Sequence, residues 1–199
     1  MRATVRDLTI ELMRSAAQTS SPPEGFKYVE ELVLPEVESE LIREIERLPL
    51  KEFEFQGYTG QRRVVSYGWH YDFGSFSLNR ADSVPGFLEA LRTRAAAFAG
   101  LPPDGLAHVL VTEYTPGSPI GWHRDKPAFE DVIGISLGSA CRFRFRRKNG
   151  ESWERYSLIL EPRSVYLLRG PARTDWEHSI PAVDDLRYSI TFRSLRQPE

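Results

Sequence analysis

Two stretches in the first half of the chain, residues 34–50 and 83–100, repeat hydrophobic residues with helical spacing. Pro35 stands where the first turn of a helix tolerates proline, and Gly100 follows the end of the second stretch. The apolar face of the first stretch consists of Val37, Leu41, Ile45 and Leu48. The pattern therefore predicts two amphipathic helices before residue 105.

After residue 105 the hydrophobic pattern changes to short runs that are separated by turn residues such as Pro116-Gly117 and Asn149-Gly150. These runs predict strands at residues 107–115, 132–138, 141–147, 155–161, 164–170, 176–180 and 187–195. Many short strands at even spacing are typical of a sandwich or barrel. Because helices come first and strands follow, we expect an α+β fold with helices packed on one face of a β barrel or jelly roll.

Composition narrows the class of protein but does not identify it. The 199 residues suffice for one domain with a real core, and 41% hydrophobic with 27% charged residues is ordinary for a globular protein. The net charge of −2 means that any nucleic-acid surface must be a local patch. Cys141 is the single cysteine, which excludes an internal disulfide and a cysteine-based zinc site and favours a reducing cytoplasm.

The tract QTSSPPEG at residues 18–25 has the composition of a boundary. We interpret residues 1–24 as an N-terminal extension, either a loose helix or disordered, and residues 25–199 as a single domain. No apolar run approaches the roughly 20 residues that span a bilayer, so we expect no membrane partner. We expect a monomer in the cytoplasm, or in the nucleus if the source is eukaryotic.

The segment GWHRDKP carries two potential metal ligands, His123 and Asp125, on either side of Arg124. Residues two apart on a strand point to the same side, so one imidazole and one carboxylate could bind one metal. His178, in DWEHSI, is the best candidate for a third ligand. Two histidines and one carboxylate with open positions form the facial triad of non-haem Fe(II) oxygenases. The alternative is that His123 and Asp125 form a hydrogen-bonded pair at a strand end.

The last predicted strand, RYSITFR, places four polar residues on one face: Arg187, Ser189, Thr191 and Arg193. The planar fork of arginine binds carboxylate in a bidentate manner. Two arginines at the ends of this face could therefore hold a small dianion or clamp a dicarboxylate. The alternative is an ordinary solvated strand face.

Taken together, these motifs resemble the AlkB family of Fe(II)- and 2-oxoglutarate-dependent dioxygenases. The likeness covers roughly residues 25–195. Its ligand segments are EYTPGSPIGWHRD (113–125), YLLRGPARTDWEHSI (166–180) and RYSITFR (187–193), and RRVVSYGWHYDFGS (62–75) resembles the substrate-lid region of many members. The resemblance implies a double-stranded β-helix, or jelly roll, with helices on one face and an N-terminal substrate-lid region. It also implies that His123, Asp125 and His178 bind a catalytic Fe(II).

The cosubstrate site is implied residue by residue. Arg187 would pair with the distal carboxylate of 2-oxoglutarate with help from Tyr114, and Arg193 would lie beside the carboxylate nearest the metal. Thr112 and Ser189 stand where the best-known DNA-repair members have asparagine. Both can still form hydrogen bonds, so the resemblance leaves cosubstrate binding intact.

The activity implied is oxidative demethylation of N-alkylated bases in DNA or RNA, with O2 consumed and formaldehyde, succinate and CO2 released. A base inside a duplex must be flipped out, so single-stranded DNA or RNA is favoured and duplex remains an alternative. Pro127 stands where some members place an aspartate near the base, which weakens inference about the base accepted. The same chemistry on a protein, lipid or small molecule stays open, because fold does not set the substrate. A non-catalytic binding module is disfavoured by the intact ligand set.

Substrate contacts are predicted from aromatic and basic residues. In the resemblance, Trp69 aligns with a lid aromatic that stacks on the base, and Tyr71 is a second candidate for this role. Arg62 and Arg63 lie next to these aromatics in the sequence. Arg146 shares a strand face with Arg142 and Arg144 in CRFRFRRKNG, which could follow phosphates. The alternatives are that the aromatics belong to the core and that the charged face is merely solvated. We expect His108 to be a structural histidine without a role in the site.

Overall fold

In the computed structural model of the chain, the described residues are 21–55, 58–72, 77–80 and 82–196. Residues 1–20 of the interpreted extension lie outside them. Both predicted helices are confirmed, as α1 (Pro35–Ile45) and α2 (Glu89–Ala99). A third helix, α3 (Pro171–Thr174), is a single turn long. Helix α1 starts with proline in its first turn, and α2 ends at Gly100, whose φ of 68° is the left-handed conformation that glycine favours. No helix in the described part is long and apolar enough to cross a membrane.

The strands of the described residues form three antiparallel sheets. In chain order they are β1 (Phe26–Val29), β2 (Lys51–Phe55), β3 (Tyr58–Tyr67), β4 (Trp69–Asp72), β5 (Ser77–Arg80), β6 (His108–Tyr114), β7 (Ile120–His123), β8 (Phe129–Leu137), β9 (Cys141–Asn149), β10 (Ser152–Leu160), β11 (Val165–Leu168), β12 (Glu177–Ile180) and β13 (Arg187–Leu195). The major sheet has the order β1-β11-β8-β13-β6-β3-β2, and the minor sheet has the order β10-β9-β12-β7. Strands β4 and β5 form a separate hairpin.

The two larger sheets face each other, and α1 and α2 cover the outside of the major sheet. One hydrophobic cluster joins α1 and α2 to the major sheet, with Leu41, Leu91 and Ile190 among its buried members. A second cluster fills the space between the sheets and includes Phe143 of β9 and Tyr166 of β11. This arrangement confirms the predicted α+β jelly roll with helices on one face.

All seven strands predicted after residue 105 are present, with ends shifted by up to three residues. The short strand β7 was not predicted, and it ends at His123, so Asp125 lies in the turn that follows. Strand alternation is therefore not the reason that His123 and Asp125 face the same way. The two side chains nevertheless approach the same point, because the chain turns back after His123.

Candidate metal centre and cosubstrate pocket

Strand register brings the predicted metal ligands together. In the minor sheet His178 of β12 pairs with His123 of β7, and their ring centroids lie 4.2 Å apart. Asp125 returns to this pair from the turn after β7, and its Oδ2 is 3.5 Å from His178 Nε2. One ligand atom from each of the three residues lies within 4.8 Å of the others. Two imidazoles and one carboxylate at this spacing could hold one divalent ion and leave positions open.

Asp125 is buried but stays ionised because it has a cationic partner. Arg193 donates from Nε to Asp125 Oδ1 at 2.8 Å, and its NH2 is 2.7 Å from the same oxygen. Burial alone would raise the pKa of Asp125, but the charge of the Arg193 guanidinium outweighs burial and holds this pKa well below its usual range. His108 Nδ1 lies 3.2 Å from Arg193 NH1. His108 therefore belongs to the site, because it contacts the guanidinium that holds the carboxylate.

Burial keeps both imidazoles neutral, which is the form that binds a metal. The pKa of His178 falls to about 3, first through burial and then through the neighbouring His123. Burial also lowers the pKa of His123. The His123 ring is oriented by a 2.9 Å hydrogen bond between Nδ1 and the carbonyl oxygen of Gly121. With Nδ1 so occupied, Nε2 is the nitrogen left for a metal.

Arg187 is a fully buried guanidinium that lacks a full set of partners. Its Nε donates to Ser136 Oγ at 3.1 Å, and its guanidinium carbon lies 4.9 Å from the centroid of the Tyr114 ring. Its NH1 is buried and has no hydrogen-bond partner among the described residues. A buried cation with an unmet donor costs free energy unless an anion completes it. This donor set fits the carboxylate of a small dicarboxylate such as 2-oxoglutarate.

The metal cluster and the polar strand residues open into one cavity of about 500 Å³. This volume is within the usual range for a small-molecule site. Strands β6 and β13 supply the deep polar wall, where Thr112 pairs with Ser189 in register and Tyr114 pairs with Arg187. The structure thus brings the five residues predicted for the cosubstrate, Thr112, Tyr114, Arg187, Ser189 and Arg193, to one side of the cavity or directly behind it.

Sequence reasoning missed Tyr166, a residue of β11 that lines the same cavity. Its ring is buried, lines the cavity and packs 4.9 Å from the Phe143 ring. Burial and the nearby Asp125 carboxylate raise the pKa of Tyr166. The ring occupies space that only glycine leaves open, because a Cβ at Gly134 would lie 2.1 Å from the Tyr166 Cζ. Gly134 within an apolar strand was the sequence signal for this close approach.

Arg173 was also missed, and it braces the turn that carries Asp125. Helix α3 places Arg173 just before the His178 strand, with its side chain 4% exposed. Its NH2 donates to the carbonyl oxygens of Lys126 and Phe129, the latter at 2.7 Å. One guanidinium therefore ties the Asp125 turn to the segment that precedes His178.

The residues predicted to contact substrate do not all lie near the cavity. Arg62 lines its mouth, with the guanidinium carbon 3.9 Å from the centroid of the Phe53 ring. Arg63 points to the other side of β3, where its Nε and NH2 each donate to Glu113 at 2.7 Å. This correction follows from strand alternation, since neighbours on β3 face opposite sides. Trp69, half-buried on β4, is not among the described residues that line the cavity.

The two remaining predicted contacts are Tyr71 and Arg146. The Tyr71 side chain lies outside the described residues. Arg146 is on the outer face of the minor sheet, where its Nε donates to Glu177 Oε2 at 2.6 Å. It does not line the cavity, because β9 directs Phe143 and Phe145 inward and the intervening arginines outward. Any contact of Arg146 with a substrate must therefore be made outside the cavity.

Comparison with known proteins agrees with this geometry. The family model described as the 2OG-Fe(II) oxygenase superfamily matches residues 27–193. An "Alkylated DNA repair protein ALKBH8 homolog" from Arabidopsis thaliana is 30% identical over 163 residues, which cover 69% of this chain and 47% of the relative. The "DNA oxidative demethylase ALKBH2" of Homo sapiens is 28% identical over 187 residues, covering 78% of this chain and 68% of that protein.

A solved structure shows the same fold. The structure of OsALKBH1 superposes with a TM-score of 0.67 and 20% sequence identity, and the match covers 89% of this chain and 99% of that chain. The chain therefore belongs to the 2OG-Fe(II) oxygenase superfamily and, within it, to the AlkB family of dioxygenases that use Fe(II), 2-oxoglutarate and O2.

Proposed function

We propose that the chain oxidatively demethylates N-alkylated bases in nucleic acid, DNA or RNA. The observation that carries this proposal is the buried His123–Asp125–His178 cluster, which opens into the same cavity as the polar wall backed by Arg187. The choice of nucleic acid is supported by two relatives, one named a DNA oxidative demethylase and one an alkylated DNA repair protein.

In this proposal, His123, Asp125 and His178 would hold Fe(II), which with 2-oxoglutarate and O2 would supply the oxidising power to hydroxylate a C–H bond. Arg187 and Tyr114 would receive the distal carboxylate of the cosubstrate. In the overall balance, one oxygen atom of O2 would end in the N-methyl group and the other in succinate, with loss of CO2. The C–N bond of the resulting hydroxymethyl group would then break. Formaldehyde leaves, and the hydroxyl proton passes to the base nitrogen.

The remaining residues of the site position these groups and exclude water. Arg193 keeps Asp125 ionised and oriented, and it would lie beside the cosubstrate carboxylate nearest the metal. Thr112 and Ser189 offer hydrogen bonds along the polar wall, and the Tyr166 ring forms another part of the cavity wall. A target base enters from a single strand or after flipping, past the rim at Arg62.

We place the enzyme in the cytoplasm, where its single cysteine stays reduced, and expect it to act as a monomer.

The proposal is tested with oligonucleotides that contain 1-methyladenine or 3-methylcytosine, as single-stranded DNA, duplex DNA and RNA. With Fe(II), 2-oxoglutarate and O2, we expect formaldehyde and succinate in equal amounts from at least one substrate. His123→Ala should give neither product. Succinate without formaldehyde from the whole panel would contradict nucleic-acid demethylation and direct attention to a protein, lipid or small-molecule substrate.

A further inference from the structure

The outer face of the minor sheet carries an unusual excess of positive charge. Strand β9 alternates, so that its phenylalanines fill the space between the sheets and its cationic residues other than Arg147 point outward. Register with β9 places Arg155 and Trp153 of β10 on the same outer face. The outward cations of these two strands are Arg142, Arg144, Arg146, Lys148 and Arg155.

Two tryptophans lie among these cations. Arg146 sits between Trp122 of β7 and Trp153, with its guanidinium carbon 4.5 Å from each ring centroid. Arg144 lies 4.9 Å from the centroid of Trp122, and Lys148 lies 5.4 Å from that of Trp153. Trp153 remains 41% exposed, so an area of its ring is accessible to a flat partner. We call the face formed by Trp122, Arg142, Arg144, Arg146, Lys148, Trp153 and Arg155 the basic–aromatic face.

The described outward positions of these strands carry far more cationic than anionic side chains. Among the outward positions of β9, β10 and β12, Glu177 is the single carboxylate, and it pairs with Arg146. Burial and then the neighbouring Arg142, Arg146 and Arg155 lower the pKa of Arg144. The cations therefore repel one another at close range. Such a local positive field, on a chain of net charge −2, fits a polyanionic partner.

The basic–aromatic face extends to the mouth of the cavity. Strand β7 is the edge of the minor sheet, and it presents Trp122 outward while the next residue, His123, faces the metal site. Arg124, which follows, is exposed and lines the cavity. Four strands at a spacing of about 4.8 Å give a path of roughly 14 Å from β10 to this rim.

We infer that the basic–aromatic face is a docking track for single-stranded nucleic acid that leads to the cavity. Arginine and lysine side chains would contact the phosphates, and the open Trp153 ring would stack on a base without regard to sequence. The choice of nucleic acid as the partner rests on the proposed function. An acidic protein would use the charge but not the stacking surface, so the two partners give different results below.

The test uses the full chain and an unmodified fluorescein-labelled 12-mer, as single-stranded DNA and as RNA, with binding measured by anisotropy at several salt concentrations. The variant Arg142→Gln/Arg144→Gln/Lys148→Gln removes three cations from the face. We expect at least tenfold weaker binding and a salt slope smaller by about 2, at about 0.7 per lost phosphate contact. The matched control Arg43→Gln/Arg47→Gln/Arg94→Gln removes three cations from the helical side and should bind as the wild type does.

A second variant separates stacking from charge. Trp153→Ala should weaken binding about fivefold or more with little change in the salt slope. Succinate formation without oligonucleotide should be unchanged in these variants, which confirms that the metal site is intact. Equal binding by the face variant and its helical control would overturn the inference, as would a poly-glutamate peptide that binds as tightly as the 12-mer.

These outcomes are distinct from failure of the proposed function. If the 12-mer binds through the face but methylated oligonucleotides release no formaldehyde, the demethylase proposal fails and the docking track stands. If formaldehyde is released while the face variant binds normally, the docking track fails and the demethylase proposal stands.

Discussion

Replacing Arg187 with methionine should separate stability from cosubstrate binding. Arg187 is fully buried, its Nε has one partner in Ser136, and its NH1 has none. Exchanging buried ionic groups for apolar groups of similar volume is often neutral or stabilising by about 1–4 kcal/mol. The exchange leaves the Ser136 hydroxyl without its donor, at a cost of about 1 kcal/mol. We therefore expect the free energy of unfolding of Arg187→Met to equal that of the wild type or to exceed it by about 1–3 kcal/mol.

The ligand response should change in the opposite direction. At about 100 times its Kd, 2-oxoglutarate stabilises the folded chain by about 2.7 kcal/mol, which is roughly 5–11 °C in Tm for a domain of this size. In Arg187→Met this shift should disappear, because the distal carboxylate of 2-oxoglutarate no longer meets the Arg187 guanidinium and is buried without a counter-charge. The assay is thermal unfolding with Mn(II) in place of Fe(II), so that no turnover occurs, with and without 2-oxoglutarate.

Arg63→Met is the matched control, because it removes an arginine of the same sheet that faces away from the cavity. It leaves Glu113, which is 4% exposed, without its partner, so the Tm should fall while the shift with 2-oxoglutarate is retained. Retention of more than half of the shift by Arg187→Met would refute the assignment of Arg187 to the cosubstrate. If Arg187→Met lost more than about 3 kcal/mol of its free energy of unfolding without ligand, the view that the unpaired NH1 of Arg187 destabilises the fold would be refuted.

Three further changes test the rest of the site. Gly134→Ala should lower the free energy of unfolding in urea by about 1–3 kcal/mol, because its Cβ would meet the Tyr166 ring. Adding Tyr166→Ala to the same chain should remove part of this loss, whereas strictly additive losses would contradict the close approach. Arg193→Met should lower the free energy of unfolding by about 3–5 kcal/mol, because the Asp125 carboxylate stays buried without its partner. Mn(II) should restore part of this free energy, and no recovery with metal would argue against the metal-binding triad. Arg173→Met should weaken Mn(II) binding about 10–100-fold in titration calorimetry, and unchanged affinity would show that the Asp125 turn holds its own shape.

Local periodicity was sufficient for most of the secondary structure. The last strand, 187–195, was predicted with its observed bounds, and helix α1 was predicted with proline in its first turn. Both have a regular alternation of apolar and polar residues, which any stretch of chain displays whatever packs against it. The short strand β7 was not predicted because Pro119 directly before it and Gly121 within it favour a loop, and its pairing with β12 comes from a distant segment.

The candidate site was only partly accessible from sequence. His123, Asp125 and His178 were chosen for their chemistry, and the structure places them within ligand distance of one another. Arg62 and Arg63 could not be told apart, since both are basic and adjacent, and only the pairing of Arg63 with Glu113 shows which one faces away from the cavity.

The sequence by itself determined which residue types alternate along each strand, and therefore which side chains can share a face. Only the tertiary structure decided which faces meet, because register between distant strands depends on the packing of the whole core. The Gly134–Tyr166 contact and the brace from Arg173 to the Asp125 turn belong to this second class. Each joins segments more than 30 residues apart, a relationship that no local pattern records.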